Sequence, residues 1–330
     1  MSIRPGRSAA GGDRRGVALV LALWALLVLG LASLRILAQV RSRVDVATLV
    51  RSRTVARYSA ESGVVAAQAL LDEMVRSASS PAEQARVFDA FRQTVETWGE
   101  RHVGSGRFQV AVEDLNARVD LNRSRTPVLQ GLFRQFVSDA EAEALVRALR
   151  GSAGLDVVGA PFDAGELPAP DPDADPTVGG GTPRARPLMH LEELRLITGF
   201  GDSLAAEIAP YVTVLGDGRI NVNTAPVPVL AAVPEIGEAA ARSVVASRDR
   251  TGPLASGLAV YSRLAEISRG AVSARMQDLV TMPRRVLVVS RGWEHGHPYT
   301  HEVQAVFEVA ASSMVAGSRV RPRFWTERGR

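Results

Sequence analysis

The pattern of apolar and polar positions changes character near residue 35. Residues 17–34 carry no charged side chain and read VALVLALWALLVLGLASL. At 1.5 Å per residue this run forms about 27 Å of helix, close to the ~30 Å hydrocarbon core of a bilayer. From Ile36 to Met74 apolar residues recur every three or four positions without a Pro, so the pattern predicts one continuous helix from about Val17 to Val75.

The residues before the apolar run indicate its orientation and allow three interpretations. Four Arg and one Asp precede it, which predicts that the N-terminus stays in the cytoplasm and the body lies outside. A signal peptide is disfavoured because the run continues into Arg35 without a small-residue cleavage site. A plain membrane anchor is an alternative. The third interpretation is a prepilin leader, since Arg14-Arg15-Gly16 directly precedes the run and a prepilin peptidase would cut between Gly16 and Val17.

An internal repeat organises the middle of the chain. The segment Arg118–Asn122 resembles Arg219–Asn223, 101 residues later, and each is followed by a Pro. Further along, 139–150 resembles 237–248 at a separation of 98. Each copy predicts a short strand, an Asn that caps a helix opened by Pro, a turn and a second helix.

The turn of the second copy, Val233–Gly237, has the form of a helix-hairpin-helix, in which Gly supports a positive φ. A similar turn is predicted around Gly199. Such units often bind DNA phosphates, but Glu235 and Glu238 place two carboxylates at this turn and would repel phosphate. We therefore expect a module for packing or protein contact.

The remaining pattern predicts strands and one tail. Phe108–Val112 alternates as a strand, and 285–291 and 300–309 alternate as two strands of a hairpin. Tyr211–Leu215 and Arg219–Val222 flank Gly216-Asp217-Gly218 and predict a second hairpin. Residues 311–330 are expected to form a flexible basic tail.

Charge and composition narrow the possible functions. The 330 residues contain no Cys, which excludes disulfides and thiolate chemistry. The net charge of +4 divides into +8 over residues 1–60, +4 over 319–330 and −8 over the rest. An acidic body does not fit a domain that neutralises phosphates, and no nucleotide-binding or hydrolase motif occurs. We expect no enzymatic activity.

Two sets of candidate metal ligands occur. His295, His297 and His301 offer imidazoles around the predicted hairpin, although a polar loop explains them equally well. Asp171, Asp173 and Asp175 alternate as hard cations require, but the neighbouring Pro residues and the missing Gly and Glu do not fit an EF-hand loop. We expect no cofactor, with calcium at these three Asp residues as the alternative.

Taken in order, several motifs resemble the K-type minor pseudopilins of type II secretion. They are RRGVALVLALWALLVL, RYSAESG, FQVAVEDLNARVDLN, LEELRLITGF, APYVTVLGDGRINVNTAP and YTHEVQAVFEVA. The resemblance implies an α+β, type IV pilin-like fold. In this fold a long N-terminal helix and an antiparallel sheet carry a large inserted helical domain of helix-hairpin-helix or SAM-like type.

The same resemblance implies a role at the tip of the pseudopilus, where the subunit initiates assembly and supports export of folded proteins. Gly16 and Val17 match the cleavage junction, with Val17 as the methylated new terminus. Leu21 stands where most pseudopilins have Glu. The implied partners are the I-type and J-type minor pseudopilins, the major pseudopilin, the prepilin peptidase and the inner-membrane secretion platform. A membrane-tethered helix-hairpin-helix protein for DNA binding or uptake is the alternative.

The expected organisation places a single-pass protein in the inner membrane, with its N-terminus cytoplasmic and its body periplasmic. The predicted segments are a leader (1–16), the start of the transmembrane helix (17–40), a pilin-like helix with the first strands (41–117), a first helical unit (118–222) that contains a Pro/Asp-rich loop (151–187), a second unit (223–283), closing strands (284–310) and the tail (311–330).

Overall fold

The computed structural model describes residues 13–153, 186–256, 259–260, 262, 278–310 and 319–329. Its helices are α1 (Asp13–Ser77), α2 (Pro81–Trp98), α3 (Thr126–Phe133), α4 (Asp139–Ala153), α5 (Asp202–Ile208), α6 (Val227–Ala231) and α7 (Gly237–Thr251). Its strands are β1 (Glu100–Val103), β2 (Gly106–Asp114), β3 (Val119–Asp120), β4 (Val212–Thr213), β5 (Ile220–Asn221), β6 (Leu279–Val280), β7 (Arg285–Glu294), β8 (Thr300–Val309) and β9 (Val320–Gly329).

Helix α1 confirms the predicted continuous helix and has a bare part and a packed part. Every described side chain from Ala18 to Arg51 is exposed, and burial begins at Ser52. From there, buried apolar residues recur at three- or four-residue spacing: Ala56, Ala60, Val64, Ala67, Leu71 and Val75. One face of the second half therefore packs on the body, as the amphipathic pattern predicts.

A five-stranded antiparallel sheet receives this face, in the order β1-β2-β7-β8-β9. Strands β7 and β8 form the predicted hairpin. Strand β2 pairs with β7 from Gly106 opposite Glu294 to Asp114 opposite Val286, although the helical subdomain separates them in sequence. Helix α2 begins with a capping box formed by Ser80 and Glu83, and its apolar side joins the core between α1 and the sheet.

Glycines let α1 approach the sheet closely. A Cβ on Gly292 of β7 would lie 2.3 Å from the carbonyl oxygen of Ala56 and 2.3 Å from the amide nitrogen of Ala60. A Cβ on Gly63 of α1 would lie 2.2 Å from Oγ of Ser290. Both positions accommodate only a hydrogen atom, so the helix and the strand are in main-chain contact.

Helices α3–α7 form a subdomain with its own core, inserted between β2 and β7. Its fully buried side chains include Leu132, Phe133, Leu149, Ile208 and Leu230. The predicted α+β class, a pilin-like long helix and antiparallel sheet with a large inserted helical domain, is confirmed.

The first copy of the internal repeat is built around the side chain of Asn122. Its Oδ1 accepts from the amide of Leu188 at 2.9 Å, and its Nδ2 donates to the carbonyls of Leu188 and Val214 at 2.9 and 3.0 Å. Arg150, near the end of α4, donates to the carbonyl of Asn122 at 3.0 Å and to that of Ser124. The Asn122 side chain thus joins main-chain segments that are 66 and 92 residues away in sequence.

The second copy repeats the same hydrogen bonds. Oδ1 of Asn223 accepts from the amide of Leu254 at 2.7 Å, and its Nδ2 donates to the carbonyls of Leu254 and Thr281 at 3.0 and 2.8 Å. Arg248 of α7 donates to the carbonyl of Ala225 at 2.8 Å, as Arg150 does to that of Ser124, 101 residues earlier. The predicted repeat is therefore a structural one.

The predicted caps of α3 and α6 are wrong. Asn122 and Asn223 cap no helix: Arg125 and Pro226 stand at the starts of α3 and α6, and neither makes a side-chain cap bond. The two Asn side chains join distant segments instead. The predicted turn at Gly199 is present, with φ +95° at that residue, and the segment before it is a 3-10 helix over Leu191–Leu196.

The predicted hairpin across Gly216–Gly218 is also absent from the described residues. Strand β4 pairs in parallel with β3, and β5 pairs in parallel with β6. The two strands therefore have partners elsewhere. The turn residues serve another contact, because Asp217 accepts from Asn116.

The expected flexible tail is wrong for residues 320–329, which form β9. This strand pairs with β8 from Val309 opposite Val320 to His301 opposite Gly329. Its Arg-rich sequence resembles a solvated tail because the strand lies at the sheet edge, where charged side chains remain in water. Residues 311–318 lie outside the described part of the chain.

The close contact between α1 and β7 predicts that Gly292→Ala destabilises the protein. The added methyl group meets two main-chain atoms, so the helix must shift, at a cost of about 1–3 kcal/mol. Urea unfolding of the full chain in detergent measures the loss. Gly151→Ala is the control, because a Cβ there meets nothing within 4 Å. Equal unfolding free energies for the two variants would contradict the contact.

Candidate functional site

The predicted processing residues lie at the start of α1. Gly16 and Val17 are in its first turns, and the Leu21 side chain is 64% exposed one turn later. The structure thus places all three on one helical segment. Cleavage at this junction stays a prediction.

The bare part of α1 exposes more apolar surface than a bilayer covers. One described helix, Ala18–Ser77, is long and apolar enough to cross a membrane by length and composition. A span takes about 20 residues, so a span that begins at Val17 ends near Ile36. Residues 37–51 then project roughly 20 Å beyond the bilayer. In this projecting part Val40, Val44 and Val50 are each more than half exposed.

A second candidate site is the polar junction between the sheet and the helical subdomain, at the end of β2. Asn116 is fully buried. Its Oδ1 accepts from the amides of Arg284 and Arg285 at 2.7 and 2.9 Å, where the chain re-enters the sheet. Its Nδ2 donates to Asp217 at 2.6 Å and to the carbonyl of Arg219 at 3.0 Å. One side chain therefore joins the beginning, the middle and the end of the insertion.

Asp114 completes this junction from the last position of β2. Its Oδ1 accepts from the amide of Asn116 at 2.8 Å. Its Oδ2 accepts from Nδ2 of Asn221 at 2.7 Å and from the hydroxyl of Thr224. Burial raises the pKa of this carboxyl to about 6, and the hydrogen bonds from Thr224, Asn221 and Asn116 oppose the rise.

A cleft of about 490 Å³ opens beside the junction, between α2 and α7. Asp89 and Arg92 line it from α2, Arg248 and Asp249 from α7, and Asp114 from β2. Both signs of charge are present, and no group of three metal-ligating side chains occurs among the described residues. The cleft is a polar seam between the two parts of the body.

Two of the three candidate histidines, His297 and His301, lie against different carboxylates. Nε2 of His301 lies 3.3 Å from a carboxylate oxygen of Glu327 on β9, and Nε2 of His297 lies 3.7 Å from one of Glu294 on β7. The two rings therefore serve different contacts. The calcium candidates Asp171, Asp173 and Asp175 lie outside the described residues.

The turn between α6 and α7 has the geometry of a hairpin and an acidic surface. Glu235 has φ +73° and Gly237 has φ +65°. The Glu at φ +73° was not expected from the sequence, since side chains other than Gly seldom adopt that region. Glu238 pairs with Arg242 on the next turn of α7, so this basic side chain already has an acidic partner. The turn is therefore a poor phosphate site.

Comparisons with known proteins bear on the second half of the helical subdomain. Residues 220–280 match the family model described as "Type II secretion system (T2SS), protein K". The match confirms the resemblance to the protein K family. The matched segment begins at β5, includes α6 and α7, and ends at β6. It thus contains the junction residues Asn221 and Thr224 and the second repeat residue Asn223.

Other comparisons are less specific. A search of curated proteins finds no match. Among solved structures, "The Crystal Structure of the GspK-GspI-GspJ complex from enterotoxigenic Escherichia coli Type 2 Secretion System" matches at 13% identity and a TM-score of 0.49. The match covers 87% of this chain and 99% of that chain.

Sequence reasoning missed the individual roles of Asp114 and Asn116. Both lie within the motif FQVAVEDLNARVDLN, which carries part of the resemblance to protein K. The motif alone does not show that these two side chains join the sheet to the helical subdomain. The one local signal is the Asp-x-Asn spacing, which is typical of an Asx turn and is observed as the bond from the Asn116 amide to Asp114.

The buried carboxyl of Asp114 predicts a specific pH dependence. Its folded pKa of about 6 lies above the ordinary 3.8, so the folded chain binds the proton more tightly than the unfolded chain. Its contribution to the free energy of unfolding therefore falls as pH rises from about 4 to 6. In Asp114→Asn this dependence is removed, so the stability of the wild type relative to the variant should fall by roughly 2 kcal/mol over that range.

Urea unfolding of both chains at pH 4, 5, 6 and 7 measures this difference. Glu113→Gln changes the neighbouring carboxyl, which is partly exposed and pairs with Arg118, and is the matched control. A wild-type to Asp114→Asn difference that is flat with pH would contradict the assignment.

Proposed function

We propose that this chain is a minor pseudopilin at the tip of a type II secretion pseudopilus, where it initiates assembly and supports export of folded proteins. The proposal rests on the uncovered apolar side chains of α1 beyond the bilayer. Isolated apolar side chains are normal on protein surfaces, but a bare helix of this length in water is not. Neighbouring helices of the same kind would cover it.

The chemistry of the N-terminus supports a place at the end of such a filament. After cleavage, the ammonium group of Val17 lies in apolar surroundings, where an unpaired charge costs several kcal/mol. A carboxylate from a neighbouring subunit offsets this cost. Leu21 provides no carboxylate, so the subunit receives this contact from a neighbour and gives none.

The position of the helical subdomain also supports a place at the end of the filament. The start of β2 contacts the beginning of the packed part of α1, since a Cβ on Gly106 would meet Ser59. The other end of the sheet lies along the end of α1, where the amide of Arg319 donates to Asp72. Because the subdomain leaves β2 at Asp114, it is attached at the end remote from the membrane. A subunit stacked above would collide with it.

In this proposal the leader stays in the cytoplasm, α1 crosses the inner membrane and the body is periplasmic. The I-type and J-type minor pseudopilins pack beside α1, and the major pseudopilin, the prepilin peptidase and the inner-membrane platform are the other partners. The role is non-enzymatic.

Processing provides the first test. In cells with an active prepilin peptidase, removal of the first 16 of the 330 residues leaves a chain of 314 that begins at Val17. Gly16→Leu should leave the precursor uncut, because the bulky side chain obstructs the extended conformation that a peptidase requires. Intact-mass spectrometry measures the terminus. Gly30→Leu, in the middle of the apolar run, is the control and should be processed normally. A cut after the apolar run would indicate a signal peptide instead.

Position in the filament provides the second test. A label on this chain should appear at one end of each pseudopilus in electron micrographs, while a label on the major subunit appears along the whole length. Leu21→Glu should reduce assembly only slightly, since it adds a carboxylate without a terminal amine to pair with. Labels of this chain distributed along filaments would refute the terminal position.

A further inference from the structure

The strand β9 forms one edge of the sheet and is ten residues long, whereas β1 at the other edge has four. An edge strand carries a row of main-chain amides and carbonyls on its outer side, which another strand can pair with. The β9 edge is therefore the longer template of the two.

β9 is held in place by its own chain, so it is already ordered before any partner arrives. Nε2 of Gln68 on α1 donates to the carbonyl of Val320 at 3.2 Å. Near the other end of the strand, Arg57 of α1 pairs with Glu327 at 3.1 Å. Helix α1 thus lies along one face of β9, and no strand among the described residues pairs with its outer edge.

The first part of this edge carries two main-chain features that discourage pairing. Pro322 has no amide hydrogen, and the register shifts opposite it, between Val306 and Phe307 of β8. From Phe324 to Gly329 the pairing with β8 is regular. The regular half is the part of the edge suited to strand addition.

The charge of this edge determines which strand fits. Glu327 is engaged by Arg57 and His301, and Arg323 by Glu308. For the exposed Arg321 and Arg328, the described part of the chain provides no ion pair. The edge therefore offers unmatched positive charge before its regular half, at Arg321, and within it, at Arg328.

An exposed aromatic side chain adds to this surface. Trp325 is 42% exposed, and its Nε1 donates to Glu327 at 2.9 Å. Its opposite residue on β8 is Ala305, which lies in the core below α1. Because paired residues point to the same face of a sheet, Trp325 lies beside α1. Trp is enriched among the residues that contribute most to interfaces.

We infer that residues 324–329 of β9 receive an acidic, extended segment of another pseudopilin, which adds to the sheet as a sixth strand. The inference rests on the proposed function, since it names a second contact beside α1 for the same partners. Main-chain hydrogen bonds supply the pairing, and Arg321 and Arg328 select carboxylates.

Single-cysteine probes test this contact, because the chain contains no Cys. Phe324→Cys and Thr326→Cys each receive a benzophenone in the full-length chain, in membranes that also contain the other pseudopilins of its own secretion system. Both positions lie on the face of β9 away from α1. Val40→Cys carries the same probe on the bare part of α1.

Strand addition predicts cross-links from both β9 probes to one pseudopilin. The linked positions, located by mass spectrometry, should lie two residues apart in its sequence, because a strand repeats every two residues. Arg321→Glu with Arg328→Glu should lower the yield several-fold at low salt and less at high salt. Arg147→Glu with Arg250→Glu, two exposed Arg residues on α4 and α7, is the charge-matched control and should leave the yield unchanged.

The outcomes separate this inference from the proposed function. Cross-links from Val40 without any from β9 would overturn strand addition and leave the pseudopilin assignment in place. No cross-link to another pseudopilin from any of the three sites would overturn both. Cross-links from β9 to a second copy of this chain, or to scattered positions, would also refute the proposed partner strand.

Discussion

The body depends on one buried polar junction, where the chain leaves the sheet at Asp114 and returns to it at Arg285. Inserting a helical subdomain between paired strands requires that the two crossing points stay together. The side chain of Asn116 does this by bonding the amides of Arg284 and Arg285 and the loop at Asp217. Because these groups are buried, each unmade bond would cost roughly 1–3 kcal/mol. The subdomain is thus fixed to the sheet by directional bonds and not by apolar contact alone.

The sheet with α1 and the helical subdomain have different kinds of core. Between α1 and the sheet, small residues and apolar side chains make a close contact that extends along the packed part of the helix. In the subdomain the strands are only two residues long, so main-chain pairing holds little of the structure. Asn122 and Asn223 replace it, each bonding two distant main-chain segments. The duplication therefore preserves a polar bonding pattern as well as an apolar one.

The sequence predicted the parts of this fold that depend on local periodicity. Helix α1, strand β2 and the β7–β8 hairpin follow from repeating apolar positions, and the repeat follows from matching letters around Asn122 and Asn223. The partners of these Asn residues were not predictable, because they lie 31 to 92 residues away. The prediction of a hairpin between β4 and β5 failed for the same reason. Gly216–Gly218 does form a turn signal, but β4 pairs with β3 and β5 pairs with β6, both distant in sequence.

Strand β9 was missed because an edge strand and a solvated tail share a composition. Arg321, Arg323 and Arg328 keep an edge soluble in either case, and Pro322 reads as a strand breaker. What distinguishes the strand is its long-range pairing with β8 and its contacts with α1. These contacts lie on the packed part of α1, so β9 runs beside that part, while the bare part extends from one end of the sheet and the subdomain is attached at the other. In the proposed assembly, partners that pack along α1 would meet β9 and leave the buried junction at Asn116 untouched, so assembly on this side would require no rearrangement of the body.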